Sequence, residues 1–160
     1  MKAWFSCLLS LLLLACSSSP EPSAVPVSLA ISAGAELNPS SRSKANPVII
    51  RVYQLNALEP FKSTENLALY QKDSTLLAES LVDKKILKAL LPNETRTVAL
   101  DLNPQTKYLA VFAEFSDYAE AKAISWVDVT KLDLDDLEQF NLSVSALSVN
   151  LKAQLDEGWW

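Results

Sequence analysis

From Val25 onward, apolar and polar residues alternate along much of the chain. Val25, Val27, Leu29, Ile31 and Ala33 are apolar, with Ser28 and Ser32 between them. A period of two places those side chains on one face of a half-buried strand. A polar stretch, "NPSSRSKAN" (38–46), follows with turn formers at both ends, and reads as a loop. In "PVIIRVYQL" (47–55), Val48, Ile50 and Val52 fall on one face and Ile49, Arg51, Tyr53 and Leu55 on the other. Apolar residues on both faces predict a central strand, with Pro47 at its first position, where a missing N–H is tolerated. The loop would allow these two strands to form a hairpin.

The period changes after Leu55. In "EPFKSTENLALYQKD" (59–73), Ser63 as N-cap, Glu65 in the first turn and Leu67 with Tyr70 at i, i+3 predict a short helix over 64–72. The next segment, "STLLAESLVDKKILKALL" (74–91), has helix-favouring composition without one clean face. Its first half is expected to be irregular or helical, and "ILKALL" (86–91) a strand. Alternation returns in "TRTVALDL" (95–102), with Val98, Leu100 and Leu102 inward and turns at "PNE" and "NPQT" on either side. "KYLAVFAEF" (107–115) is apolar on both faces and predicts a second central strand, and "ISWVDV" (124–129) a short one. Phe140, Leu142 and Val144 lie at even positions, then Leu147, Val149 and Leu151 at odd ones. Such a slip would turn every side chain to the other face, so it marks a bulge or a turn near Ser145-Ala146, and two strands joined by a tight turn are expected. Seven or eight short strands predict a mostly β fold: a two-sheet β-sandwich over 25–155, with a short helical insertion after the second strand and a C-terminal tail over 156–160. No repeat of fixed period is visible.

Composition narrows the function. The chain has 160 residues, 49% of them hydrophobic, enough for one core and short for two. Its only glycines are Gly34 and Gly158, so the glycine-rich loops that cradle phosphates cannot be built by their usual sequences. Histidine is absent, which removes the commonest general base and the commonest zinc ligand. A net charge of −5 gives no footprint for a phosphate backbone, so nucleic acid is not expected as a partner. The loops are too short for a catalytic cleft built on paired carboxylates, and neither enzymatic activity nor a cofactor is expected. Asp133, Asp135, Asp136 and Glu138 cluster in "LDLDDLEQF", but without the glycine and ligand spacing of a calcium loop, and read as a solvated turn. Arg51 interrupts an apolar strand. It either faces outward with its stem packed on Tyr and Leu or contacts a partner. Trp159 and Trp160 follow Gly158, and either pack back on the sandwich edge or form an apolar patch for a partner.

The N-terminus supplies an address. "MKAWFSCLLSLLLLA" (1–15) has one positive charge, an apolar run and a small last residue. That is the order of a signal peptide, too short to span a bilayer. Leu13-Leu14-Ala15-Cys16 resembles the bacterial lipobox, in which the cysteine thiol is acylated and becomes the mature N-terminus. Cys7 would leave with the signal and Cys16 would carry lipid, so no disulfide is expected. Each buried acyl CH₂ contributes about 0.8 kcal/mol, so two or three chains hold a protein on a bilayer. Ser17, in place of Asp, resembles the sorting pattern for the periplasmic face of the outer membrane. The rest of the 16–24 segment is Ser/Pro-rich and reads as a tether; eight residues after the cysteine reach roughly 26 Å.

Several landmarks together resemble the type VI secretion system outer-membrane lipoprotein family, TssJ. They are "PVIIRVYQL", the helical insertion ending "LALYQKD", the "PNE" turn, "KYLAVFAEFSDY" and Trp126. Two positions depart from the pattern. Asn93 stands where the turn usually has Gly, which Asn replaces because it tolerates positive φ. Val127 stands where an Arg often follows the Trp. The resemblance implies a transthyretin-like sandwich without enzymatic activity, lipidated at Cys16. It also implies a partner: the periplasmic C-terminal region of an inner-membrane TssM-like protein, which would be bound in building a trans-envelope complex. The contact loop implied is Asn38, Pro39, Ser40, Ser41, Arg42, Ser43, Lys44, Ala45 and Asn46, exposed and rich in donors at Arg42 and Lys44. The alternative is another periplasmic outer-membrane lipoprotein, with an envelope-assembly or ligand-binding role on a similar sandwich.

Overall fold

The computed structural model describes residues 23–40 and 44–156. The signal segment, Cys16 and the Trp159-Trp160 pair lie outside the described residues. In chain order the elements are β1 (Val25–Ala33), β2 (Ile50–Leu55), α1 (Glu59–Lys62), α2 (Asn66–Leu77), β3 (Leu81–Ile86), β4 (Thr95–Leu102), β5 (Tyr108–Ala113), β6 (Ile124–Asp128), β7 (Leu137–Ser145) and β8 (Ser148–Leu155), with single 3₁₀ turns before β3 and after β6. They form two four-stranded sheets, ordered β4-β1-β7-β8 and β3-β2-β5-β6. The fold is the mostly β, two-sheet sandwich with a helical insertion after the second strand that the alternation predicts.

β1 and β2 do not form a hairpin. β1 pairs antiparallel with β4 and parallel with β7, whereas β2 pairs antiparallel with β3 and β5 in the other sheet. Both present apolar side chains to the space between the sheets, Leu29 and Ile31 from one and Ile50 and Val52 from the other, all at most 2% exposed. The segment between them therefore crosses the end of the sandwich, with Leu37 buried beneath it.

The central strands are as expected. β2 and β5 are buried on both faces, because α1 and α2 cover the side turned away from the other sheet. Phe61 of α1 lies against Tyr53, with ring centroids 5.5 Å apart. Two expectations for the insertion need correction. Ser63 does not cap the helix over 64–72: it ends α1, where its hydroxyl donates to Glu59 O, and α2 begins at Asn66. The side-chain amide of Asn66 donates to the carbonyls of Tyr118 and Ala121, so a tertiary contact sets this start. The strand placed at 86–91 lies instead at Leu81–Ile86, and beyond it only Leu90 makes an isolated bridge, to Val48. β3 is an edge strand with exposed Asp83 and Lys85 between its apolar ends, so its sequence carries no apolar period.

The slip of phase between β7 and β8 is a two-residue turn, with Ser145 opposite Ser148 and Ala146 at φ 45°. Asn93 adopts positive φ, 60°, as its place in the "PNE" turn requires. Between the sheets lies one buried amide, Gln54. Its Nε2 donates to Asp101 O at 2.9 Å, and its Oε1 accepts from Asn103 N at 2.8 Å and Thr106 Oγ1 at 2.6 Å, joining β2 to β4 and the turn after it.

The strand registers give the sandwich two distinct ends. Val25, Leu102, Leu155, Leu55 and Tyr108 mark one; Ala33, Ile50, Ala113 and the β7–β8 turn mark the other. The nine residues of β1 separate them by roughly 30 Å. Truncating Gln54 would leave buried groups of both sheets without partners. Gln54→Ala should cost about 2 kcal/mol in denaturant unfolding, which checks the amide's part in joining the sheets.

Candidate interaction surface

The loop over 38–46 sits at the Ala33 end, on a hydrogen-bonded base. Gly34 N donates to Val144 O and Asn38 N to Ala146 O, both at 2.8 Å, which lays the chain against the β7–β8 turn. A Cβ at Gly34 would stand 3.2 Å from the Ser145 Cβ, so glycine fits this approach. Asn38 takes a left-handed conformation, φ 47°, and is 3% exposed. Its Nδ2 donates to Pro47 O and its Oδ1 accepts from Ser116 N, each at 2.8 Å. Asn46 closes the loop: its N donates to Leu37 O, and its side-chain amide to the carbonyls of Asn38 and Lys44.

Asn38 and Asn46 are thus turned inward and fix the loop, while Pro39, Ser40, Lys44 and Ala45 form its described outer part. Ser41, Arg42 and Ser43 lie outside the described residues. Asn38 also ties this loop to the β5–β6 connection through Ser116. Between them lies a shallow concavity of about 860 Å³, lined by Ala35, Glu36, Pro39, Ser40, Ala45, Ser116, Asp117 and Leu147. Ser116 also borders a second concavity of about 310 Å³, lined by Leu67, Tyr70, Phe112, Glu114, Phe115 and Tyr118. Leu67, Tyr118 and Tyr70 are 37%, 49% and 52% exposed.

The second concavity depends on where α2 lies, and Arg51 fixes that. Arg51 stands on the helix-covered face of β2. Its Nε donates to Glu114 Oε1 at 2.6 Å, its Nη1 to Asp73 Oδ2 at 2.9 Å, and its Nη2 to Tyr70 O at 3.2 Å. The guanidinium lies 5.5 Å from the Tyr70 ring centroid and 5.8 Å from that of Phe112. Asp73 also accepts from Tyr53 Oη at 2.8 Å and from Lys84 Nζ at 3.2 Å. The side chain of Arg51 is only 12% exposed, so it neither lies outward on its stem nor is free for a partner. Its partners stand 22 and 63 residues away in sequence, and the periodicity around Arg51 gives no sign of them.

Burial by itself would push the Asp73 carboxyl up. The hydrogen bonds from Tyr53, Arg51 and Lys84 outweigh it and hold the group down at about 2. Burial likewise works against the Arg51 cation, and the bonds to Asp73 and Glu114 more than offset it, raising Arg51 above its ordinary value. Burial and the bond to Asp73 both push the Tyr53 hydroxyl up. Beneath the second concavity the Arg51 cation is thus met by the carboxylates of Asp73 and Glu114.

Residues 25–155 match the model of a protein family described as type VI secretion lipoprotein, VasD, EvfM, TssJ. Solved structures agree. The chain is similar to the type VI secretion lipoprotein TssJ1 from Pseudomonas aeruginosa, at 24% identity and a TM-score of 0.72, over 82% of this chain and 97% of that one. It is similar to a chain of a type VI membrane complex at 25% identity and a TM-score of 0.69, over 79% and 97%. The T6SS protein TssM C-terminal domain structure from EAEC also matches, at 22% identity and a TM-score of 0.64, over 81% and 97%. No curated protein matches the chain in sequence.

The Arg51 cluster gives stability a pH dependence of known sign. With its pKa lowered from 3.8 to about 2, Asp73 contributes most above pH ~4, and the contribution disappears as pH falls through about 2. That contribution is about 2 kcal/mol. Asp73→Asn should lack this acid-dependent part of the unfolding curve. It should also be about 3 kcal/mol less stable at neutral pH, since Arg51 and Lys84 would face a neutral amide. Urea unfolding of both proteins across pH 2–7 checks this.

Proposed function

Since the chain belongs to the type VI secretion lipoprotein family of VasD, EvfM and TssJ, a family of envelope lipoproteins and not of enzymes, we propose that it anchors the secretion system's trans-envelope complex to the outer membrane. In this reading residues 1–15 are removed as a signal peptide, Cys16 is acylated, and 16–24 tether the sandwich to the periplasmic face. The partner is the periplasmic region of an inner-membrane TssM-like protein, held through the loop over 38–46 and the concavity beside it.

The observation that carries this reading is the opposition of the two ends. The tether joins the domain at Val25, and the loop stands at the other end of β1, roughly 30 Å away. A lipid anchor at one end therefore leaves the loop free to face a partner across the envelope. Glu36 and Asp117 in the concavity, beside Lys44, give that end groups of both signs at its rim. Rim charges of this kind set register and association rate more than affinity.

Cys16→Ser should leave thermal stability unchanged and move the protein from the membrane to the soluble fraction; a variant that still pellets with outer membranes refutes the anchor. Replacing Arg42 and Lys44 together by Ala should weaken capture of the TssM-like periplasmic region by roughly tenfold at low salt, with Tm unchanged. Recovery of a barrel protein or a small ligand from envelope extract, in place of a large inner-membrane protein, would favour a different envelope role.

A further inference from the structure

Eight large apolar side chains are exposed among the described residues, and three of them, Leu67, Tyr70 and Tyr118, meet at the concavity of about 310 Å³ beside α2. Apolar surface gathered in this way marks an interaction site more than scattered residues do. Its frame is bonded from two sides. Arg51 Nη2 donates to Tyr70 O at 3.2 Å, and Asn66 Nδ2 donates to Tyr118 O at 2.9 Å and Ala121 O at 3.0 Å. The backbone that carries the rings is therefore set before anything covers them, which lowers the ordering cost of binding. The charge around the concavity has one sign. The two segments that line it, 64–70 and 112–120, carry Glu65, Glu114, Asp117 and Glu120 and no lysine or arginine. Glu114 lines it directly: its Oε1 accepts from Arg51 Nε at 2.6 Å, whereas its Oε2 accepts no hydrogen bond from the described residues.

We propose that this concavity takes an arginine side chain presented by a basic segment of a partner protein, its guanidinium against the rings of Tyr70 and Tyr118 and donating to Glu114 Oε2. The inference goes beyond the reading above and does not depend on it. A guanidinium suits the site because it stacks on aromatic faces while keeping donors for a carboxylate. The same pairing already exists within the fold, where the Arg51 guanidinium lies 5.5 Å from the Tyr70 ring centroid and 5.8 Å from that of Phe112. A second cation is compatible with Arg51 because the charges beneath the concavity balance: Arg51 and Lys84 are met by Asp73 and Glu114. Glu65, Asp117 and Glu120 are in excess of that balance and favour a basic segment. An apolar occupant would take Glu114 Oε2 out of water without giving it a donor, a cost that an arginine avoids. A neighbouring concavity of about 400 Å³ shares Leu67 and Tyr118 and reaches Glu65 and Asn66, which leaves room for the residues that flank the arginine.

The test uses the full chain in phosphatidylcholine nanodiscs with fluorinated tyrosine at its four tyrosines, Tyr53, Tyr70, Tyr108 and Tyr118, read by fluorine NMR. The probes are three end-blocked tripeptides with glycine on either side of arginine, citrulline or norleucine; no TssM-like protein enters, so failure here and failure of the anchoring reading are separate results. The arginine peptide should shift the Tyr70 and Tyr118 signals saturably and leave those of Tyr53 and Tyr108 in place. Citrulline keeps the shape without the charge and should bind roughly tenfold more weakly, as should norleucine. Tyr118→Ala, followed at Tyr70, should weaken the arginine peptide by a similar factor with Tm unchanged, and Tyr118→Phe should restore it, since the ring and not the hydroxyl is used. Norleucine binding as tightly as arginine would make the concavity a plain apolar groove and overturn the proposal. Equal shifts at all four tyrosines, or none at Tyr70 and Tyr118, would overturn it as well.

Discussion

A sheet strand that is apolar on both faces needs two covers, and the rest of this structure follows from meeting that need for β2 and β5. The opposite sheet covers one face. The other is covered by the segment that leaves β2, the longest connection between two strands of the sandwich. That segment is the helical insertion, and on its own it has little reason to sit where it does: α2 breaks its helical backbone at Lys72 and has no side-chain cap. Arg51 supplies the reason. It is a cation on a face otherwise lined by Tyr53, Leu55, Ala110 and Phe112, and it becomes tolerable only when Asp73 of α2 and Glu114 after β5 reach it. The cluster thus makes one placement of the helix the favourable one. The concavity between Leu67, Tyr70 and Tyr118 is a consequence of that placement.

Topology then divides labour between the ends. Because β1 runs from the Val25 end into the crossing segment, that end and the loop over 38–46 are separated by the length of one strand. A hairpin between β1 and β2 would have kept the same loop but put both strands in one sheet. The segment would then not cross the end of the sandwich or bury Leu37, and Asn38 would not meet Ser116. The crossing is therefore what brings the β1–β2 loop beside the β5–β6 connection, which in turn meets the start of α2.

Most of the strands were legible in the sequence because their period of two directly reflects burial of one face or of both. β1, β4, β5 and the β7–β8 turn follow that way. β3 was not legible as a strand because its role is set by backbone pairing with β2, and its exposed charges follow no apolar rhythm. The start of α2 was missed for a similar reason, since Asn66 is fixed by carbonyls of a loop more than fifty residues on. Arg51 was noticed as an interruption, but its meaning lies in two carboxylates that only the fold brings together. Within the loop, composition marks donors and turn formers alike. It cannot separate Asn38, whose side chain is used up by Pro47 and Ser116, from the residues that Asn38 and Asn46 hold outward.

That separation has a further physical consequence. The base of the loop is specified by a left-handed Asn, two side-chain amides and one buried leucine, none of which reaches outward. Among the described residues of the loop, Ser40 N donates to Lys44 O across the tip, and Asn46 returns the chain to Leu37. Substitutions at the tip can therefore leave the core and the Arg51 cluster unchanged, and in the proposed role they would alter what is recognised. Surface positions away from caps, turns and buried networks carry little of the stability. A scaffold arranged this way can keep its shape while its sequence drifts, which accords with a TM-score of 0.72 at 24% identity. In the proposed role, the bonded base and the core are what would hold position between membrane and partner, and the tip is what would face the partner.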